Sequence, residues 1–353
     1  MSALDYPDEP DRAPGCPAPR ETHDLYGHEA AERAFAEAQA AGHLHHAWLI
    51  CGPRGIGKAT LAYRMARRVL GAKPDPDHGV LGADPNDPTT MRIAAMSHGD
   101  LMVLRRPFDE KRKRWRGEIT VEEARRMAGL FHTRAGEGGW RVCIIDAADE
   151  LNLNAANAIL KMLEEPPDRA MVILVAHAPG RLPATIRSRC RRLDLRPLSA
   201  ALTTKIAITH GASEDEAALA SKLAAGSPGR ALAMVSADGT ALWREIDQLV
   251  TQGPRAGQSA AHGLAHRLAL AKAAPQRSLF FELLVMRLEQ QIRSSVGAGQ
   301  ITGIEPWFAL RDELNALAVD MERLYLDPAQ VIHNAIQKTW RIVSAHPIQE
   351  HEA

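Results

Sequence analysis

The segment Gly52-Pro53-Arg54-Gly55-Ile56-Gly57-Lys58-Ala59-Thr60 meets the spacing G-x-x-x-x-G-K from Gly52 to Lys58. Its chemistry is that of a phosphate cradle. Glycines at 52, 55 and 57 let the backbone turn its N–H groups inward around phosphate oxygens. The Lys58 ammonium would reach the outer phosphates, and a helix opening at Lys58 adds the positive end of its dipole. A Gly-rich turn with a chance lysine is the bland alternative, and the apolar run His46–Cys51 before the loop argues against it. The next position normally carries a hydroxyl that ligates Mg²⁺, and here it is Ala59. Thr60 lies about 100° further round a helix, so it would serve the metal only if the loop shifted register.

A second element is Val142-Cys143-Ile144-Ile145-Asp146, an apolar strand pattern ending in a carboxylate. This is how an aspartate is presented to a metal-bound nucleotide, although a strand-end carboxylate that only caps a helix would read the same way. The following residue is Ala147, and Asp149 and Glu150 are expected to point elsewhere. Further on, Arg187, Arg189, Arg191 and Arg192 are either a solvated basic run or a source of one guanidinium for a phosphate. His177 is either structural or a phosphate contact. Arg105, Arg106 and the run Lys111–Arg116, with Trp115 among the charges, could touch DNA phosphates or form a solvated loop.

The elements that must position these groups alternate. Helical spacing over 27–41 is followed by an apolar strand over 46–51, then a helix from Lys58 to about Leu70. Residues 72–100, rich in Pro, Asp and Gly, read as an irregular excursion. Strand patterns follow at 101–104, 140–146 and 170–176, with helices at 121–131 and about 154–165, the latter ended by Pro166-Pro167. Alternation of this kind predicts a parallel sheet with helices on both faces. From Ser199 onward the pattern is helical only, with short helices at 199–209, 213–224 and 229–236, then longer ones at 240–252, 259–273, 277–294, 305–324 and 327–344. The stripe Leu279, Phe280, Leu283, Leu284, Met286 and Leu288 has helical spacing and suits either core or an oligomer contact.

Composition bounds the function classes. At 353 residues, with 45% hydrophobic and 24% charged side chains, the chain is a globular protein of two or three domains. Forty-three basic residues balance 43 acidic ones, so wholesale adhesion to nucleic acid is not indicated. No apolar run approaches membrane-spanning length, and the acidic, Pro-rich start is no export signal, which makes the cytoplasm the expected location and a membrane partner unexpected. The four cysteines, Cys16, Cys51, Cys143 and Cys190, have no C-x-x-C spacing, so no metal site is expected from them.

Several segments together resemble the bacterial clamp-loader AAA+ family. Ser188-Arg189-Cys190, within Leu182–Cys190, is similar to that family's S-R-C motif. Asn152–Pro167 resembles the helix that follows its acidic strand, Leu44–Trp48 its segment ahead of the P-loop, and Gly226–Leu232 its sensor 2 region. The likeness covers about residues 24–235. It implies an AAA+-type α/β P-loop domain over 23–197, then a helical lid over 198–238 and an all-α oligomerisation collar over 239–353, while the acidic, Pro-rich start over 1–22 reads from its composition as a flexible tail. It implies ATP on Gly52–Thr60, Asp146 and Arg230, and an arginine finger, Arg189, that reaches a neighbouring subunit's ATP.

In such ATPases the residue after the acidic strand is usually Glu, and here Ala147 joins Ala59. Sensor 1 is Val175-Ala176-His177-Ala178 where the motor subunits carry threonines. These departures resemble the delta-prime branch, which implies bound but unhydrolysed ATP. Its implied partners are gamma/tau-type ATPase subunits and a delta subunit, with the sliding clamp and primed DNA reached through the complex. The cysteine cluster that often holds zinc in relatives is missing from 72–100, so no zinc is expected. The competing readings are an active AAA+ motor that uses Thr60 and, less consistent with the helical C-terminus, a small-molecule P-loop kinase.

Overall fold

The computed structural model describes residues 9, 10, 12, 15–111, 114–132, 139–297 and 304–345. Its strands are β1 (Ala47–Cys51), β2 (Leu101–Leu104), β3 (Phe108–Asp109), β4 (Arg114–Trp115), β5 (Arg141–Asp146), β6 (Ala170–Ala176) and β7 (Arg191–Asp194). Its helices are α1 (Glu29–Ala40), α2 (Lys58–Val69), α3 (Pro88–Ala94), α4 (Val121–His132), α5 (Leu153–Glu164), α6 (Ala184–Arg187), α7 (Ala200–Thr209), α8 (Glu214–Ala224), α9 (Pro228–Ser236), α10 (Gly239–Ala269), α11 (Ala274–Gly297), α12 (Glu305–Arg323) and α13 (Pro328–Ala345). The chain divides into two compact units, Met1–Ala233 and Met234–Ala353.

In the first unit a five-stranded sheet has the order β2-β5-β6-β1-β7, and every pairing is parallel. Parallel strands covered on both faces lack polar alternation, and β1 and β6 are buried at every residue. Leu49, Ile145 and Leu174 pack on one face with Phe131, Ile159 and Ile186 from α4, α5 and α6. Trp48, Ile144 and Ile173 pack on the other with Phe35, Leu61 and Met65 from α1 and α2. The expected α/β architecture is therefore present.

Three local features depart from expectation. β7 was not foreseen, because only Leu193 of Arg191–Asp194 is buried; it is the edge strand, aligned to β1 with Trp48 opposite Arg191. The excursion over 72–100 contains α3, whose first turn is capped by the Asp87 carboxylate accepting from the N–H groups of Thr89 and Thr90. The segment Cys16–Thr22, expected to be part of a flexible tail, is packed. Cys16 and Ala18 are buried, and Arg20 Nε donates to the Ala94 carbonyl at 3.0 Å.

Two buried arginines of α2 hold that segment down. Arg64 Nε lies 2.6 Å from Glu32 Oε1 on α1, with both side chains almost wholly buried. The same guanidinium donates to the His23 and His78 carbonyls. Arg67 donates to the carbonyls of Thr22 and Arg20, and burial depresses its pKa to about 10. A buried charge persists only when its hydrogen bonds are met, so the N-terminal segment supplies acceptors that α2 requires.

Two short helices, α7 and α8, and the start of α9 complete this unit. Ser199 caps α7, and Ser213 with Glu216 forms a reciprocal capping box on α8. In the second unit α10 is interrupted at Gly253, whose backbone (φ 66°, ψ −168°) is not helical, ahead of Pro254. All six residues of the stripe beginning at Leu279 are buried. Trp340 of α13 donates its indole N–H to the Leu249 carbonyl at 2.6 Å. A Cβ on Gly257 would stand 2.6 Å from the Trp340 ring, so the glycine permits the close approach of α10 and α13.

Two stability outcomes follow. Glu32→Gln strips Arg64 of its charged partner and should cost about 3 kcal/mol, read as a lower urea midpoint for the first unit. Gly257→Ala forces overpacking against Trp340 and should cost about 1–3 kcal/mol in the second unit, read as a lower urea midpoint for the loss of its helical circular dichroism.

Candidate nucleotide site

The candidate site lies at the carboxyl ends of adjacent parallel strands, where an open α/β sheet offers its crevice. Register brings Cys51 level with Ala176 and with Asp194, and Asp146 level with Val175. The loop after β1 therefore emerges between the ends of β6 and β7, with the end of β5 one strand beyond β6. Gly52 has φ +147°, and a Cβ there would lie 2.6 Å from both Ile56 Cδ1 and the Leu195 carbonyl oxygen. Gly57 caps α2 in a left-handed conformation (φ 100°). A Cβ on it would meet Leu25 at 2.8 Å.

The loop is held from outside as well as by its glycines. His28 Nε2 donates to the Ile56 carbonyl at 2.7 Å, and burial keeps this imidazole below its ordinary pKa. Lys58 Nζ turns back to donate to the carbonyls of Gly52 (2.7 Å) and Pro53 (2.5 Å). Burial pulls the Lys58 pKa down to about 8, while Asp146 and Asp149 oppose that shift. The backbone N–H groups of Gly55, Ile56, Gly57 and Lys58 find no acceptor among the described residues. Ala59 and Thr60 are the second and third residues of α2, so the helix keeps the register that leaves alanine at the hydroxyl position.

The acidic residues after β5 divide. Asp146 is buried at the strand end and contributes to the field at Lys58. Asp149 accepts from the backbone N–H groups of His177 (2.9 Å) and Ala178 (3.2 Å), so its carboxylate fixes the loop after β6. Glu150 faces Arg54 of the P-loop at 3.3 Å and Arg106 at 3.0 Å. The two are therefore used structurally. His177 is held near pKa 4, chiefly by burial and then by the charges of Lys58 and Arg54, so it is neutral at physiological pH.

The start of α9 lies directly on the P-loop. Ser227 Oγ donates to the Arg54 carbonyl at 2.8 Å, and Gly229 N–H donates to the Gly55 carbonyl at 2.8 Å. A Cβ on Gly55 would come within 2.5 Å of Ser227 Oγ, and one on Gly229 within 3.0 Å of Gly55 Cα. This brings Arg230 beside the loop, its backbone N only 3.2 Å from that position at Gly55. Cys16 joins the contact, its thiol 3.6 Å from the Gly229 carbonyl. Leu25, His28, Ser227 and Gly229 were not singled out from the sequence as loop contacts, since each reaches the loop from a segment distant in sequence, which spacing does not reveal.

Arg189 is on the turn between α6 and the edge strand β7. Its Nη1 donates to the Thr185 carbonyl at 2.9 Å, and its Nη2 lies 2.8 Å from Glu164 Oε1. Burial raises the neighbouring Cys190 thiol to about 12 and the Cys16 thiol to about 11, so neither is a thiolate ligand at neutral pH. Among the described residues no group of three or more His, Cys, Asp or Glu is arranged to hold a metal ion. None of the described helices is long and apolar enough to cross a membrane.

Residues 27–199 match the family model described as DNA polymerase III, delta subunit. The chain is 38% identical over 145 residues to DNA polymerase III subunit delta' of Pseudomonas aeruginosa, a match covering 41% of each protein. It is 31% identical over 277 residues to subunit delta' of Escherichia coli, covering 78% of this chain and 77% of that one. A solved DNA polymerase III gamma subunit-related protein from Thermotoga maritima is similar over 89% of this chain and 98% of that chain, with 14% identity and a TM-score of 0.43. With its P-loop, parallel sheet and S-R-C turn in the expected order, the chain belongs to the delta-prime family of DNA polymerase III clamp-loader subunits.

Proposed function

We propose that this chain assists ATP-dependent loading of the sliding clamp on primed DNA as a non-hydrolysing subunit that lends Arg189 to ATP held by a neighbour. The neighbours in this reading are gamma/tau-type ATPase subunits and a delta subunit, in the cytoplasm. The observation that carries it is a division of chemistry within one domain. The chain's own site has alanine at both positions that metal-assisted hydrolysis requires, whereas Arg189 is fixed, partly exposed, at the sheet's edge.

The site's residues fit the phosphates of ATP better than they fit its hydrolysis. Three glycines, four N–H groups without acceptors among the described residues, and Lys58 suit phosphate oxygens. Lys58 would exchange two carbonyl partners for phosphate, and Arg230 would approach from α9. Asp146 supplies one metal-facing carboxylate, but Ala59 and Ala147 supply neither a metal hydroxyl nor a water-orienting acid. Nucleotide here would act as a clasp between the loop and α9. Bound in a neighbour, ATP would meet in Arg189 a charge that stabilises the transferring phosphoryl group.

The deciding experiment is DNA- and clamp-stimulated ATP hydrolysis by the reconstituted loader carrying Arg189→Ala. The site served by Arg189 should slow by about 10²-fold or more, so the complex loses at least that site's share of turnover while remaining assembled. An unchanged rate would overturn the reading, as would ATP turnover by the isolated chain that Lys58→Ala abolishes. Nucleotide affinity should also depend on pH. Lys58, depressed to about 8, is mostly charged at pH 7 and mostly neutral at pH 9. Affinity for a fluorescent ATP analogue should therefore fall as pH rises through that window, by up to about tenfold.

A further inference from the structure

We infer that Glu164 is a positioning residue for Arg189, fixing the guanidinium's direction before it meets a neighbour's nucleotide; this rests on the finger reading above. The guanidinium is held at two points by two different elements. Nη1 donates to the Thr185 carbonyl in α6 at 2.9 Å, while Nη2 meets the Glu164 carboxylate, at the last residue of α5, at 2.8 Å. Two fixed points determine the plane and heading of a planar fork, whereas a single point would leave it free to swing.

Stability does not account for the pair. Arg189 is 35% exposed and Glu164 48% exposed, and exposed ion pairs contribute little. A carboxylate at the C-terminal end of α5 also opposes the helix dipole, so the position is unfavourable for Glu164 without a cation beside it. The sequence places acid where the helix alone disfavours it, and the structure places Arg189 there. A long, flexible arginine on a short turn otherwise samples many rotamers, and ordering them on contact would cost part of the gain in rate. Anchoring it beforehand in its own chain removes that cost.

The test uses the reconstituted loader with Glu164→Gln, Glu164→Ala, Arg189→Ala and the double variant Glu164→Ala/Arg189→Ala. Stimulated hydrolysis is measured as kcat and KM, with assembly checked by gel filtration. Gln keeps an acceptor oxygen at the same reach, so kcat should fall in the order wild type, Glu164→Gln, Glu164→Ala, Arg189→Ala, with KM and assembly unchanged. At the served site Glu164→Ala should cost about tenfold. The double variant should be no slower than Arg189→Ala, because Glu164 acts through that side chain. Wild-type rates in both Glu164 variants, beside a slow Arg189→Ala, would overturn the inference and leave the finger reading intact. A further loss in the double variant would also overturn it, by assigning Glu164 to the fold. A faster Glu164→Ala would mean that the carboxylate holds the finger back. If Arg189→Ala itself runs at the wild-type rate, the finger reading fails and takes the inference with it.

Discussion

Where α9 crosses the P-loop, two main chains touch, and both contacting residues are glycine. The Gly229 N–H to Gly55 carbonyl bond brings the backbones so close that a Cβ on Gly55 would stand 2.5 Å from Ser227 Oγ and one on Gly229 3.0 Å from Gly55 Cα. That single approach sets much else. It seats Ser227 on the Arg54 carbonyl, and it holds Arg230 beside the loop. It also ties the short helices to the sheet-bearing core of the same unit. A loop that could hold phosphate thus also serves as a joint, and its geometry is maintained by protein contacts on several sides.

The second support comes from below. Gly57 rests against Leu25, and His28 holds the Ile56 carbonyl. Those two residues are in turn placed by a segment that ends on the buried guanidiniums of Arg64 and Arg67. Charges buried this deeply cannot exchange partners cheaply, so these hydrogen bonds pin the segment alongside the burial of Cys16 and Ala18. Loop, N-terminal segment and α9 therefore constrain one another, which is what a subunit contributing geometry to an assembly requires of its fold.

Much of this was legible from residue order. The P-loop, the acidic strand, the S-R-C turn and the alternation of elements lie in local patterns, and the parallel sheet followed from them. What escaped was whatever depends on partners distant in sequence. β7 has one buried residue in four, so no apolar period marks it; it is a strand because β1 offers an edge. Cys16–Thr22 reads as a tail because its Pro-rich composition hides that its carbonyls are needed by arginines more than 40 residues away. The alanines at 59 and 147 were visible as missing chemistry, but the use made of Asp149 and Glu150 was not. One braces the loop after β6 and the other bridges Arg54 and Arg106.

That redeployment bears on how the site keeps its shape. An acidic residue aimed at a water molecule must keep its carboxylate unpaired and free to act, which is a costly state near buried groups. Here Asp149 is engaged by backbone N–H groups, Glu150 by arginines, and Lys58 by carbonyls. Each pairing removes a reactive group and adds a strut. Arg189 follows the same rule with a different outcome. It too is paired, with Glu164 and Thr185, but at the sheet's exposed edge where an incoming phosphate could compete for it. Interior charges become fixed parts of the frame, and in the proposed reading Arg189, nearer the rim, keeps a charge for a neighbouring molecule.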